Sequence, residues 1–207
     1  MRNRRIGGWS VKDVYEGHFK VTYRGVPALK CPFDYVIYQM LLGQVRPDLV
    51  IEIGTNHGGG ALYLADLMEL AGTGTVHTID IEDRAERLVR EHPRIKRFLG
   101  GWEGYDVTNA RGFETVMVID DGYHRFDHVL GALLKLSPLV SVGSYYIVED
   151  GIVTRLERSE GPLDGGPLRA IHEFLAENKD FEIDRRSCDF FGLNATFNVD
   201  GYLKRIR

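Results

Sequence analysis

The sequence has few of the features that mark secreted or membrane proteins. Its 207 residues contain two cysteines, Cys31 and Cys188. One disulfide would use both, but two reduced thiols in a cytoplasmic protein fit this low count better. No apolar run approaches the roughly 18 residues that a membrane-spanning helix needs, and the polar N-terminus lacks a signal-peptide core. We therefore expect a cytoplasmic protein without a membrane span.

The sequence also lacks a strong excess of positive charge. Its formal net charge is −4. The short basic clusters at 2–5 and 185–187 are too small to follow a phosphate backbone. These features argue against a nucleic acid as the main partner.

Apolar runs and helical patterns alternate along the middle of the chain. The runs that predict buried strands lie at 49–53, 75–80, 115–120 and 145–150, with a weaker one at 94–99. Helical spacing occurs at 59–70, 81–92 and 128–140. This alternation predicts an α/β fold, a doubly wound and mostly parallel sheet with helices on both faces.

No repeat, low-complexity tract or change in composition divides the chain, so we expect a single domain over 1–207. Residues 1–45 contain a Pro-kinked loop and then a helix from about 33 to 44. Residues 46–150 form the ligand-binding core. Residues 151–207 contain a Gly- and Pro-rich loop at 151–168, a helix at 168–178 and strands at 180–185 and 201–207.

Glycines follow the first strand of the core. Gly54 is followed by three consecutive glycines at 58–60. This spacing differs from the G-x-G-x-x-G turn of dinucleotide sites, and it suits a ligand with an amino acid head and a nucleoside. Glu52 ends the preceding strand, and Asp80 ends the next one, where an acid commonly holds ribose hydroxyls. The alternative is that the glycines serve only the turn and helix packing.

Acids also follow the third and fourth strands. Asp120 and Asp121 follow one strand, and Glu149 and Asp150 follow the other. These strand ends share one edge of a parallel sheet, so uncompensated carboxylates there would repel one another. Mg²⁺ prefers oxygen ligands, which makes Asp121, Glu149 and Asp150 the expected metal ligands. The alternative is that these acids cap helices and that one of them binds ribose or adenine.

Three histidines lie near these motifs. His124 comes three residues after Asp121, and we expect it to act as a general base or to orient a neighbouring group. His128 lies one helical turn further on and has a weaker case. His57 lies in the glycine loop, where it is placed to contact a cofactor.

The chain resembles the cephalosporin hydroxylase family, whose members are metal-dependent O-methyltransferases of antibiotic and sugar tailoring that use S-adenosylmethionine (SAM). The matching stretches are GVPALKCPFDYVIYQ (25–39), RPDLVIEIGTNHGGGALYLA (46–65), IDDGYH (119–124), GSYYIVED (143–150), GPLRAIHEFLAENKDFEID (166–184) and NATFNVDGYLKR (194–205). They cover most of the chain. The resemblance implies a class I methyltransferase fold that transfers a methyl group from SAM to a hydroxyl of a small molecule.

The resemblance implies a methyl-donor site at 52–60 and Asp80, a Mg²⁺ site and an assembly, and the motifs described above complete the expected set of site residues. The methyl donor is expected at Glu52, Gly54, Thr55, Asn56, His57, Gly59, Asp80, Ile81, Trp102 and Asp120. Mg²⁺ is expected at Asp121, Glu149 and Asp150, with His124 and Asp121 as catalytic residues. Relatives form homo-oligomers partly through their N-terminal segments, which 1–45 would supply here.

The chain departs from the family in one segment. Residues 100–106 read GGWEGYD where a small polar pair is expected near the adenine, and Trp102 is placed to stack on that ring instead.

Chelation by a metal favours acceptors with adjacent oxygens, such as a catechol, a vicinal sugar diol or a hydroxy acid. The loop at 151–168 is expected to act as a lid over the acceptor.

Three rival functions are weaker. An iron-dependent hydroxylase, which the family name suggests, commonly carries H-x-D or H-x-E, and the sequence has neither. A nicotinamide-dependent dehydrogenase is opposed by the glycine spacing. A non-catalytic SAM-binding protein is disfavoured because every expected metal acid is present.

Overall fold

The N-terminal segment contains more regular structure than expected. The computed structural model describes residues 8, 10–156 and 162–207, so the basic cluster at 2–5 and part of the expected lid lie outside it. Helix α1 (Val11–His18), the hairpin β1 (Thr22–Tyr23) and β2 (Val26–Pro27), and helix α2 (Pro32–Val45) come first. The sequence analysis missed α1, whose start is stabilised by reciprocal capping between Ser10 and Asp13.

A seven-stranded sheet forms the centre of the protein. Its strands are β3 (Leu49–Ile53), β4 (Thr75–Asp80), β5 (Ile95–Leu99), β6 (Val116–Asp120), β7 (Tyr145–Val148), β8 (Phe181–Ile183) and β9 (Tyr202–Arg205). Their order is β5-β4-β3-β6-β7-β9-β8. The first five pair in parallel, and β9 is antiparallel to both of its neighbours. The predicted doubly wound, mostly parallel sheet is confirmed.

Helices cover both faces of this sheet. They are α3 (Gly59–Leu70), α4 (Arg87–Arg90), α5 (Gly101–Gly104), α6 (Phe126–Leu136), α7 (Gly151–Leu156), α8 (Gly166–Glu177) and α9 (Arg185–Cys188), with 3₁₀ turns at Val107–Ala110 and Ser137–Leu139. One hydrophobic core joins α2 and α3 to the sheet, and a second joins α6 and α8 to the other face. No helix among the described residues is long and apolar enough to cross a membrane.

The register brings the functional strand ends together. Ile53 of β3 pairs with Ile79 of β4 on one side and with Asp120 of β6 on the other. All five residues of β3 are buried, because helices cover both faces of this central strand. The turns that follow β3, β4, β6 and β7 therefore open at one edge.

The helix predicted at 81–92 is wrong, since the structure has only the single turn of α4 there. The Asp80 carboxylate accepts the backbone N–H groups of the next two residues, Ile81 and Glu82. The Arg90 guanidinium donates to the carbonyl oxygen of Ala85. The Asp80 bonds alone are compatible with a helix start. The N–H of Glu86, however, donates to the carbonyl oxygen of His57, and Arg90 occupies the carbonyl of Ala85, so two groups that a helix would pair internally have other partners.

The loop predicted at 151–168 is also partly wrong. Helix α7 begins directly after Asp150, because the N–H of Ile152 donates to the carbonyl oxygen of Phe197 and anchors its first turn. The lid role of this segment stays a prediction.

Candidate active site

A cavity of about 490 Å³ lies beyond the carboxyl ends of β3, β4 and β6. This volume is in the range of small-molecule sites. The predicted residues that line it are Glu52, Gly54, Thr55, Asn56, Gly59, Asp80, Ile81, Trp102, Asp121, His124 and Asp150. Residues distant in the sequence thus meet in one cleft.

The turn after β3 needs glycine for steric reasons. Gly54 has φ +93°, and a Cβ there would lie 2.1 Å from the carbonyl oxygen of Asp121. The backbone N–H of Asp121 also donates to the carbonyl oxygen of Ile53 at 2.9 Å. Because Gly54 has no side chain, the turn after β3 and the loop that carries Asp121 can lie in direct contact.

Asp80 organises the opposite wall of the cavity. Its Oδ2 accepts the backbone N–H of Asn56 at 2.7 Å, and its Oδ1 accepts that of Ile81 at 2.7 Å. The carboxylate thereby joins the glycine turn to the end of β4. Ile81 itself is 75% exposed at the mouth of the cavity.

Glu52 is a buried acid at the base of the cavity. Its Oε2 accepts a hydrogen bond from the Thr78 hydroxyl at 2.6 Å. Burial raises the pKa of Glu52 to about 7, although the neighbouring Lys30 opposes that rise. A Cβ on Gly60 would lie 2.6 Å from Glu52 Oε1, so the glycine keeps space open above this carboxylate.

Asp121, His124 and Asp150 form a cluster whose ligand atoms lie within 4.8 Å of one another. The Nε2 atom of His124 lies 3.2 Å from Oδ2 of Asp150 and 4.0 Å from Oδ1 of Asp121. Burial opposes a charge on His124, but the hydrogen bond and charge of Asp150 outweigh it and raise the pKa of His124 to about 9. The imidazole therefore carries a proton beside Asp150 at neutral pH.

Lys30 is a functional residue that the sequence analysis missed. Its ammonium is 2.5 Å from Oδ2 of Asp121 and 2.6 Å from Oε1 of Glu149, and its side chain is 5% exposed. Burial disfavours its charge, but these two carboxylates raise its pKa well above the ordinary value. The premise that the acids stand uncompensated was wrong. The sequence feature that could have indicated a buried role for Lys30 is that it is a single lysine in the otherwise apolar stretch before Asp34.

Three predicted site residues do not line the cavity. Glu149 is buried, with its carboxylate on Lys30. Asp120 is buried and accepts hydrogen bonds from the Tyr146 hydroxyl and a backbone N–H, so it supports the loop from behind. His57 lies next to Glu86, with 3.6 Å between Nδ1 and Oε1. A strand-end position alone does not reveal which way a side chain points.

Aromatic residues of the N-terminal segment complete the cavity. Tyr15, His18 and Phe19 line it, and the rings of His18 and Phe19 are 3.9 Å apart. Tyr123 and His128 add rings from the loop after β6 and from α6. Tyr15, His18 and Phe19 lie in or directly after α1, and the capping pattern at Ser10 is the sequence feature that indicates this helix.

The fold is that of the class I methyltransferases. A solved CmcI structure with SAH superposes with a TM-score of 0.70 at 18% identity, over 100% of this chain and 96% of that one. A CmcI structure with Mg and SAM gives 0.69 at 19% identity, over 100% and 88%. The O-methyltransferase TomG from Streptomyces achromogenes, in complex with SAM, gives 0.59 at 15% identity, over 98% and 93%.

Sequence comparison identifies the family. The family described as Rhamnosyl O-methyltransferase/CmcI matches residues 15–206, and this chain belongs to it. A rhamnosyl O-methyltransferase of Mycobacterium bovis is 31% identical over 197 residues, which cover 90% of this chain and 78% of the relative. That of Mycobacterium leprae is 31% identical over 215 residues, covering 92% and 87%. The predicted enzyme class, a SAM-dependent O-methyltransferase, is confirmed.

Proposed function

We propose that this enzyme transfers the methyl group of SAM to a hydroxyl of a small molecule with the help of Mg²⁺. The observation that carries the proposal is the meeting of Asp121, His124 and Asp150 beside the glycine turn in one cavity. The two cofactors predicted from the sequence are also those bound in the CmcI complex.

The residues around the glycine turn fit a cationic nucleoside donor. The carboxylates of Glu52 and Asp80 both border the cavity, and the absence of a side chain on Gly60 leaves room for the buried Glu52 carboxylate. Trp102 and Ile81 both line the cavity, and we propose that the Trp102 ring stacks on the adenine. The proposed donor residues are Glu52, Gly54, Thr55, Asn56, Gly59, Asp80, Ile81 and Trp102.

The acids fit a hard divalent cation. We propose Asp121, Glu149 and Asp150 as its ligands, because carboxylate oxygens are what Mg²⁺ prefers. Asp121 and Asp150 line the cavity, whereas the buried Glu149 carboxylate would have to exchange its bond to Lys30 for the cation. Lys30 contacts both Asp121 and Glu149 and thereby keeps the acids close together. When bound, Mg²⁺ supplies Lewis-acid chemistry that lowers the pKa of a coordinated hydroxyl.

The chain's own residues also shape the acceptor side of the site. His124 lies in the cavity with its protonated Nε2 3.2 Å from the Asp150 carboxylate, so of its two predicted roles we propose the orienting one, in which it holds Asp150 in place. The rings of Tyr15 and Phe19 border the cavity from the N-terminal segment and limit the access of water.

The acceptor is proposed to carry adjacent oxygens. Relatives named rhamnosyl O-methyltransferase favour a vicinal sugar diol over a catechol or a hydroxy acid. The division into one domain, the cytoplasmic location and the homo-oligomer stay predictions from the sequence.

The variant Asp150→Asn tests this function. We expect methyl transfer to a panel of rhamnosides to fall roughly 100-fold or more, because a loss of several kcal/mol of charge stabilisation has that effect on rate. Calorimetric titration should show SAH affinity within about twofold of wild type, since the donor residues are intact. Asp180→Asn, at a half-exposed carboxylate near the C-terminus, is the matched control and should retain activity. Full turnover in excess EDTA would refute the metal role.

A further inference from the structure

Asp150 has an unusual backbone conformation for an aspartate. Its φ is +54°, in the left-handed region, between the end of β7 and the start of α7. A non-glycine residue held there costs on the order of 1–3 kcal/mol and persists when its surroundings enforce it. Its backbone N–H donates to Oδ1 of Asn198 at 3.3 Å. A side chain from 48 residues further on therefore helps to hold this acid in place.

The amide of Asn198 is itself rigidly oriented. The side chain is buried with 1% exposure. Its Nδ2 donates to the hydroxyls of Tyr38 at 2.9 Å and Tyr202 at 3.3 Å. Because the N–H of Asp150 is a donor, it must face the oxygen of the amide, which agrees with Nδ2 facing the two hydroxyls. Each polar atom of this amide thus has a partner.

The same amide meets a hydroxyl that lies near Glu149. The Tyr38 hydroxyl accepts from Asn198, and burial followed by the charge of the Glu149 carboxylate raises the pKa of Tyr38 well above its ordinary value. On the other side, the Tyr202 hydroxyl donates to Oδ1 of the buried Asp34 at 2.8 Å. One amide therefore contacts the backbone of Asp150 and donates to a hydroxyl that lies within the electrostatic influence of Glu149.

The backbone around Asn198 also fits closely against the segment after Asp150. The N–H of Ile152 donates to the carbonyl oxygen of Phe197 at 2.9 Å. A Cβ on Gly151 would lie 2.5 Å from the carbonyl oxygen of Val199. The contact leaves no room for the two segments to slide, so the position of Asn198 is transmitted to Asp150.

We propose that Asn198 is a positioning residue that sets Glu149 and Asp150 in the geometry that binds a divalent cation. The inference rests on the proposed function, in which these acids are metal ligands. Asn198 does not line the cavity, and it acts through Asp150 N–H and the Tyr38 hydroxyl. Partners of this kind are worth roughly 10- to 100-fold in metal affinity.

Calorimetric titration of the purified protein with Mn²⁺ tests the proposal. Asn198→Leu keeps the size of the side chain and removes its hydrogen bonds, and we expect Mn²⁺ affinity to fall about 10- to 100-fold. SAH affinity should stay within about twofold, and the electron paramagnetic resonance spectrum of bound Mn²⁺ should change. A merely structural role would lower the melting temperature without either metal effect. Asn109→Leu, at an exposed asparagine, is the matched control.

Tyr38→Phe keeps the inference testable if Asn198→Leu does not fold. It preserves the ring and the bond from Asn198 to Asp150 but removes the hydroxyl that lies near Glu149, and we expect Mn²⁺ affinity to fall at least about threefold. If Asn198→Leu folds and binds Mn²⁺ with wild-type affinity, the inference is overturned and the proposed function still stands. If Asn198→Leu does not fold, wild-type Mn²⁺ affinity in Tyr38→Phe has the same meaning. A wild-type protein that does not bind Mn²⁺ overturns both.

Discussion

Lys30 determines the charge balance of the site at the scale of single residues. Its buried ammonium bridges Asp121 and Glu149, so it neutralises part of the charge that a divalent cation would otherwise meet. Breaking a buried ion pair by removing one partner costs about 3–5 kcal/mol, since the other charge stays buried. Lys30 therefore stabilises the metal-free protein, and under the proposed function it would compete with the cation.

We expect Lys30→Met to destabilise the protein in EDTA and to make its stability depend on divalent cation. The melting temperature should fall by on the order of 10 °C in EDTA. Added Mg²⁺ should raise it more than in wild type, because the unpaired carboxylates attract the cation more strongly. Thermal unfolding with and without Mg²⁺ measures both effects. Lys20→Met, at an exposed lysine, should behave as wild type, and an equal response to Mg²⁺ in Lys30→Met would contradict the competition.

The turn after β3 positions the site at the scale of secondary structure. Gly54 and Gly72 both have positive φ, but a Cβ meets the Asp121 carbonyl at the first and open space at the second. Alanine substitutions at these two glycines therefore separate the free-energy cost of a positive φ from the free-energy cost of a steric clash. The first cost is about 1 kcal/mol, and a clash adds to it.

We expect Gly54→Ala to lower the free energy of unfolding by more than about 2 kcal/mol and to abolish SAH binding, because the loop that carries Asp121 must move. Gly72→Ala should cost about 1 kcal/mol and bind SAH as wild type does. Urea unfolding and calorimetry provide the two measurements. Similar SAH affinity in both variants would show that the close approach at Gly54 is dispensable.

The stability of the whole molecule depends on pH through a histidine far from the site. His77 lies inside the sheet, with Nδ1 2.8 Å from the Tyr105 hydroxyl and its ring against Phe98. Burial, with a smaller effect of Lys96, lowers the pKa of His77 to about 4. The unfolded chain binds this proton near pH 6.5 and the folded chain near pH 4, so stability is complete above 6.5 and is lost as the pH falls towards 4.

We expect this histidine to contribute about 3 kcal/mol to the pH dependence of unfolding between pH 6.5 and 4. His77→Phe keeps an aromatic ring and should remove that contribution. Buried acids such as Asp34, whose pKa is raised to about 6 by burial, act in the opposite direction, so the difference between variant and wild type is the quantity to measure. His172→Phe, at an exposed histidine, should leave the urea-unfolding profile unchanged; the same result for His77→Phe would disprove the assignment.

Local pattern in the sequence determined the architecture and the general location of the site. Strand β3 matches its prediction at 49–53 because a buried strand of a parallel sheet is a continuous apolar run. Gly54 and Asp80 lie where expected, because the end of a strand places the next residue at the ligand edge. The helix predicted at 81–92 was wrong because the bonds from Glu86 N–H to His57 and from Arg90 to the Ala85 carbonyl carry no periodic signal.

Tertiary structure decided which side chains meet and in which direction they point. Lys30 reaches Asp121 across 91 positions of sequence, and Asn198 reaches Asp150 across 48. Such pairs depend on how two loops dock and have no spacing that a single sequence could reveal. The turning of Asp120 and Glu149 away from the cavity has the same origin, because packing against Tyr146 and Lys30 selects their rotamers. The sequence thus determined where carboxylates gather, and the packed fold decided which of them face the ligand.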